Sequence, residues 1–159
     1  KLDSLQLSKN SLVFLGGGWK GYADQAIEKQ ELYHLAETLL GIPNERLRDG
    51  FGSVEHCIPY IECSQHHFHV PVYSRVLIRN TYNLKPLGYG APGFLQFVSP
   101  YITSMPMHSV LMGDLAILHP PESCSCELKT SWFEVLGRAG VSKNKSCAVT
   151  AAELLRGFQ

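Results

Sequence analysis

Three cysteines and one histidine together have the side chains of a zinc site. Cys63 is followed six residues later by His69, and a Cys-x-Cys pair, Cys124 and Cys126, lies in a proline-rich segment farther along the chain. Three thiolates and one imidazole complete a tetrahedral shell of the kind that holds structural zinc. We therefore predict a zinc site at these four residues, with a set of free thiols as the alternative. Three other side chains are substitute ligands: Cys57, His66 and His67.

A short turn combines four residue types that suit a nucleotide. Phe51, Gly52, Ser53 and Glu55 supply an aromatic ring, a position without Cβ, a hydroxyl and a carboxylate. The ring can stack on a base, the glycine lets a ligand approach the backbone, and the carboxylate can hold the Mg²⁺ that bridges phosphates. These residues are candidate nucleotide contacts, with Glu55 as the candidate magnesium ligand. An ordinary surface turn is the alternative.

Three consecutive glycines form a second candidate nucleotide contact. Gly16, Gly17 and Gly18 follow the apolar run at residues 11–15. This pattern predicts a buried strand that ends in a flexible turn. A ligand could approach the backbone of such a turn closely.

Asp114 and Arg138 are candidate contacts to a ribose or a phosphate. Asp114 precedes the apolar run at residues 115–118, where its carboxylate could accept both hydroxyls of a ribose. Arg138 follows a glycine and could donate to ribose or phosphate oxygens. A strand-entry turn at Asp114 and a solvated basic loop at Arg138 are the alternatives.

The elements that must position these residues are mostly strands. A helix is predicted at residues 29–40, where leucines recur at helical spacing and Gly41 supplies the stop. A short last helix is predicted from Thr150, with Glu153 at the capping-box spacing. The predicted fold class is mixed α/β, rich in strands with a few flanking helices. Strand signals occur at residues 76–78, 94–98, 115–118 and 132–136.

Cys147 has the setting of a reactive thiol. It lies between Lys145 and the helix predicted from Thr150. Nearby cations and a helix amino terminus lower the pKa of a thiol and increase its thiolate fraction. A buried structural cysteine is the alternative.

The composition narrows the class of protein. With 159 residues, 45% of them hydrophobic, the chain is long enough for one domain with a core. Lys plus Arg and Asp plus Glu number 14 each, so no basic surplus favours nucleic acid. No apolar run approaches the ~20 residues of a membrane span. Five cysteines, an odd number, predict the reducing cytoplasm rather than a disulfide framework. The absence of Met at position 1 suggests that sequence is missing upstream.

The order of these segments resembles the second half of the adenylate-forming ligases. In that superfamily a glycine turn lies beside adenine, and an aromatic-Gly-x-x-Glu turn stacks on adenine and supplies a metal ligand. An Asp binds the ribose, and a Gly-Arg pair marks a hinge. A closer resemblance, to the acyl-protein synthetases, rests on residues 17–20 (GGWK), 55–56 (EH), 60–63 (YIEC), 69–71 (HVP), 86–90 (PLGYG), 133–140 (FEVLGRAG), 147–148 (CA) and 150–155 (TAAELL).

The resemblance implies an activity with ATP and Mg²⁺ as cofactors. ATP and a long-chain fatty acid would form an acyl-adenylate, and the acyl group would pass to an enzyme cysteine and then to a reductase or similar partner protein. This family carries its acylated cysteine near the carboxyl terminus, so Cys147 becomes the candidate acyl acceptor, and Glu55 is the second candidate catalytic residue. Residues 1–138 would be the latter part of the large domain, and residues 139–159 a short hinge and acceptor tail.

Two other interpretations stay open. One is a coenzyme A ligase related to the phenylacetate enzymes, which look similar around the Cys and His positions; Cys147 would then be incidental. The other is a zinc-stabilised interaction module without catalysis. The Ser/Thr/Gly-rich loop that holds the triphosphate in adenylate-forming enzymes does not occur in these residues. We therefore expect that this chain alone does not adenylate efficiently.

Overall fold

Two β-sheets and one α-helix are built from residues 4–18 and 20–139, the part of the chain that the structure, a computed structural model, describes. The first sheet has three strands in the order β1 (Val13–Gly16), β2 (Leu47–Phe51) and β3 (Tyr60–Ile61). The second has six strands in the order β4 (Phe68–His69), β9 (Trp132–Arg138), β8 (Ser109–His119), β7 (Pro92–Val98), β5 (Arg75–Arg79) and β6 (Pro86–Leu87).

Helix α1 (Lys29–Leu40) connects the parallel strands β1 and β2. Parallel neighbours need a long crossover, and an α-helix is its usual form. The helix ends at Gly41, which adopts a left-handed φ of 65° and donates its N–H to the Glu37 carbonyl at 2.9 Å. Tyr33 is fully buried and forms a small core with Ile42 and Leu47. The predicted helix and its glycine stop are confirmed.

The second sheet is antiparallel throughout and carries the main core on one face. Along β7, buried and half-buried residues alternate, so Leu95 and Phe97 point into the core. Tyr60 of β3 packs in the same cluster as Phe97 and Phe133. The two sheets therefore share one apolar core, and the edge of the first sheet is held against the second.

The strand-rich mixed fold class predicted from sequence is confirmed, although some boundaries differ. β8 begins at Ser109, so Asp114 lies inside a long strand and not at its entry. β2 has no clear strand pattern, because Arg48, Asp49 and Gly50 fill its middle. This segment is a strand because it pairs with β1. The helix predicted from Thr150 lies outside the described residues.

Helix α1, at 12 residues, is the only α-helix in the described part of the chain. Within residues 4–18 and 20–139, no helix is long and apolar enough to cross a membrane.

Candidate nucleotide cavity and metal centre

The parallel pairing of β1 and β2 brings the two predicted nucleotide turns together. Gly16, the last residue of β1, lies opposite Gly50 near the end of β2. Both turns therefore leave the sheet at the same edge, the carboxyl ends of two parallel strands. In α/β sheets this edge is where ligands usually bind.

A cavity of about 890 Å³ lies at this edge. Gly17, Gly18, Phe51 and Gly52 line it together. A second cavity of about 400 Å³ adjoins the same turns and is lined by Gly16, Phe51, Gly52 and Ser53, with Cys57 beside them. The structure thus unites six of the residues predicted to contact a nucleotide.

Phe51 contacts the core as well as the cavity. Its ring centroid is 6.1 Å from those of Phe68 and Phe97 and 6.0 Å from that of Phe133. These are ordinary spacings for aromatic pairs. The ring predicted to stack on a base is therefore also part of the wall that joins the two sheets.

Ser53 and Glu55 occupy different environments on the turn that follows β2. The Ser53 hydroxyl oxygen is buried and has no hydrogen-bond partner among the described residues. Glu55 is exposed to solvent. The serine hydroxyl therefore has a hydrogen-bonding capacity that no described residue uses, and the glutamate is accessible to an ion from solution.

Asp114 and Arg138 meet each other on neighbouring strands, away from both cavities. They are register partners on β8 and β9, and the Arg138 Nε lies 4.0 Å from the Asp114 Oδ1. Burial raises the pKa of Asp114 above its ordinary value, although the Arg138 charge opposes the shift. Neither residue lines either of the two cavities. Cys147 lies outside the described residues.

The four predicted zinc ligands converge on one point. Their ligand atoms all lie within 4.8 Å of one another, and all four residues are buried. The Cys63 and Cys124 sulfurs are 3.8 Å apart, and the Cys126 sulfur is 3.3 Å from the His69 Nε2. A tetrahedral zinc site with Zn–S of about 2.3 Å has sulfur–sulfur edges of about 3.8 Å. The arrangement can hold a metal ion.

Residues outside the ligand set contact the imidazole of His69 and the sulfur of Cys124. His69 Nδ1 lies 2.8 Å from the Thr130 carbonyl, an acceptor, so the proton sits on Nδ1 and Nε2 is free to ligate. Burial lowers the pKa of His69 below its ordinary value, which favours the neutral, ligating form. His67 Nδ1 lies 3.2 Å from the Cys124 sulfur, and its ring stacks on Trp132 at 3.7 Å.

Two of the three substitute ligands, Cys57 and His66, lie apart from the ligand set, whereas His67 contacts the Cys124 sulfur. Cys57 is exposed, and its sulfur donates to the Val54 carbonyl at 2.8 Å. His66 contacts Asn44 and Glu62. The ligand set lies between the sheets, because Cys63 follows β3 and His69 ends β4. A metal there would fasten the two sheets together.

A buried carboxylate, Glu62, organises a cluster that sequence analysis missed. Its Oε2 accepts hydrogen bonds from the Tyr33 hydroxyl at 2.6 Å and from the Asp49 N–H at 2.8 Å. Its Oε1 accepts from Lys29, whose ammonium also lies 3.1 Å from Asp49 Oδ2. Lys29, Asp49 and Glu62 all line the large cavity. Because these three residues lie far apart in the sequence, no short motif predicts that they form a cluster.

The cluster keeps Glu62 ionised. Burial by itself raises the pKa of Glu62, but the hydrogen bonds from Lys29, Tyr33 and the Asp49 backbone outweigh it and hold the pKa below its ordinary value of 4.5. Burial also raises the pKa of Tyr33, and the Glu62 charge adds to that shift. Tyr33 therefore remains a neutral hydrogen-bond donor.

The fold is that of the adenylate-forming ligases. A long-chain-fatty-acid-CoA ligase from Archaeoglobus fulgidus superimposes with a TM-score of 0.58 at 13% identity, over 86% of this chain and 30% of that one. A structure of the fatty acyl-adenylate ligases from E. coli and L. pneumophila gives 0.58 at 14% identity, over 84% and 30%. This chain thus has the fold of roughly one third of such enzymes.

The chain belongs to the LuxE family of acyl-protein synthetases, which it matches over residues 1–156. It is 28% identical over 144 residues to a long-chain-fatty-acid–luciferin-component ligase of Vibrio harveyi, covering 89% of this chain and 36% of that protein. The counterpart from Aliivibrio fischeri is 25% identical over 149 residues, covering 91% and 38%. The chain spans little more than a third of the length of these relatives.

Proposed function

We propose that this chain serves the ATP-dependent activation of a long-chain fatty acid and its transfer to protein thiols. The fatty-acid carboxylate attacks the α-phosphorus of ATP, pyrophosphate leaves, and an acyl-adenylate forms. A cysteine thiolate then attacks the acyl carbonyl and AMP leaves. A reductase or similar protein subunit receives the acyl group. Family membership and the names of the curated relatives support this proposal over a coenzyme A ligase.

The proposal rests mainly on one observation: the turns that follow β1 and β2 lie together at the same edge of the first sheet. The backbone at Gly17 and Gly18 allows a ligand to approach closely, and the unpartnered Ser53 hydroxyl supplies a donor. We assign the adenine of ATP to this edge. Glu55 is the proposed Mg²⁺ ligand, and the Asp114 and Arg138 pair is proposed to bind the ribose.

Asp114→Asn should weaken the binding of ATP or a non-hydrolysable acyl-adenylate mimic by about tenfold, because a charge-assisted bond to the ribose is lost. Calorimetric titration of the purified chain measures this. Glu122→Gln, an exposed carboxylate outside both cavities, is the matched control and should bind as the unmodified chain does. Equal binding by Asp114→Asn contradicts the ribose assignment, and an unmodified chain that binds neither ligand favours a non-catalytic interaction module.

Cys147 is the proposed acyl acceptor. Radiolabelled tetradecanoyl-adenylate should label the chain through a thioester that hydroxylamine removes. Cys147→Ser should lose most of this label, whereas Cys57→Ser, which removes an exposed thiol, should keep it. If Cys147→Ser labels as strongly as the unmodified chain, the acceptor assignment is wrong.

Zinc is the proposed metal of the Cys63, His69, Cys124 and Cys126 centre, in a structural role. The shell is closed, since four protein ligands leave no open position for substrate. The spacing of the sulfurs and the fixed His69 tautomer support zinc. With ATP and Mg²⁺, zinc completes the proposed cofactors.

A further inference from the structure

A third cavity, of about 440 Å³, lies beside the second sheet. It shares no lining residue with either of the two cavities at the β1–β2 edge. Its walls come from the start of β5, from Tyr89 in the β6–β7 turn, and from residues 129–131 just before β9. The cavity is therefore separate from the site proposed for ATP.

The cavity concentrates positive charge. Arg75 and Lys129 both line it, and no acidic side chain does. Neither residue forms a salt bridge within residues 4–18 and 20–139. The chain as a whole has equal numbers of acidic and basic residues. Two uncompensated cations at one concave surface attract an anion.

Hydroxyl groups add further donors to the same walls. Tyr89, Thr130 and Ser131 line the cavity, together with Ser74, whose hydroxyl is already hydrogen-bonded to Tyr60 and to the Val98 carbonyl. The Tyr89 and Ser131 hydroxyls lie 3.0 Å apart, so they hold each other in place. Because one of the two hydroxyls donates to the other, one O–H of this pair is left for a ligand, and together with the two cations it can donate to several oxygens of one anion.

The remaining wall is apolar. Val70, Val76, Leu77 and Leu118 contribute aliphatic side chains. The ligand must therefore join an anionic head to a short apolar group. A volume of about 440 Å³ falls at the small end of the range for small-molecule sites.

We propose that this cavity binds a phosphate monoester that carries a short apolar group. A phosphate monoester has close to two negative charges and three acceptor oxygens near neutral pH, which match two cations and several hydroxyls. A carboxylate has one charge and two oxygens, so it leaves one cation uncompensated. The charge and donor count therefore favour phosphate.

Titration of the chain with butyl phosphate, followed by calorimetry, tests the site. Arg75→Gln and Lys129→Gln should each weaken binding by about fivefold, and the double variant by about twentyfold. Lys85→Gln, an exposed lysine outside the cavity, is the matched control and should leave the affinity unchanged. All three positions are exposed, and circular dichroism verifies that the variants fold. A double variant that binds as tightly as the unmodified chain overturns the proposal.

Three further ligands define the chemistry of the site. Butyrate should bind at least about fivefold more weakly than butyl phosphate, and butyltrimethylammonium should not bind. Inorganic phosphate should bind more weakly than butyl phosphate, because it lacks the apolar group. Equal affinity for butyrate and butyl phosphate, or binding of the ammonium compound, would overturn the assignment. Adenosine should not displace butyl phosphate; displacement would place the ligand in the nucleotide cavity instead.

Discussion

Cys126→Ser should purify without zinc, whereas the unmodified chain should contain about one equivalent. The serine hydroxyl is a poor zinc ligand, and the loss of one thiolate opens a shell that depends on four. The variant should be destabilised by at least about 3 kcal/mol, which for a domain of this size lowers Tm by about 6–12 °C. Elemental analysis and thermal unfolding measure the two effects.

Cys57→Ser is the matched control for the metal experiment. Its thiol is exposed and outside the cluster, so the variant should retain zinc and unfold with the unmodified chain. A strong chelator should lower the Tm of the unmodified chain and of Cys57→Ser, and it should leave Cys126→Ser unchanged. If the chelator affects all three alike, or the unmodified chain purifies without metal, the centre is a cluster of free thiols.

The destabilisation follows from where the ligands lie. Cys63 follows the edge strand of the first sheet, and His69 lies in the edge strand of the second. The hairpin with Cys124 and Cys126 joins β8 to β9. The strands β3 and β4 have only two residues each, so backbone pairing alone holds them weakly. A metal would supply the tie that these short strands lack.

The type of metal ligand could be predicted from sequence, but the choice among neighbouring histidines required the fold. His66, His67 and His69 lie within four residues, and residue type does not distinguish them. His69 faces the sulfurs because its other nitrogen bonds to the carbonyl of Thr130, 61 residues away in sequence. A contact between residues so far apart in sequence cannot be predicted from the spacing of residues within one segment.

Some strands could likewise be predicted from their own residues, whereas the extent of another depends on the strand with which it pairs. β7 and β9 could be predicted because their own segments hold the aromatic and β-branched residues that favour strands, such as Phe97 and Val98 in β7 and Trp132 and Val135 in β9. β8 was predicted too short, because its first half is ordered by pairing with β7, where Gln96 lies opposite Leu111. Asp114 consequently sits within the strand and opposite Arg138. The position of a residue within a sheet depends on the neighbouring strands, and the residue pattern of one segment does not identify those neighbours.

Glu62→Gln should destabilise the chain by about 3 kcal/mol, or about 6–12 °C in Tm, through the loss of a buried charge that binds side chains of α1 and the backbone of β2. Glu62 is 3% exposed and accepts hydrogen bonds from Tyr33 and the Asp49 backbone. Glutamine has nearly the same shape, but its amide N–H₂ faces donors that need an acceptor. Lys29 is 40% exposed at its side chain, so solvent compensates part of its lost partner. Urea unfolding measures the free energy.

A double-mutant cycle separates the shared charge from the loss of packing. Tyr33→Phe removes one donor and should cost about 1 kcal/mol in the unmodified chain. In the Glu62→Gln background it should cost much less, because the charged acceptor is already gone. Glu122→Gln, exposed and outside the cluster, should leave stability unchanged. Additive effects of Tyr33→Phe and Glu62→Gln would mean that the hydroxyl and the carboxylate act independently, and the cluster would then not be a cooperative link between α1, β2 and the segment that joins β3 to β4.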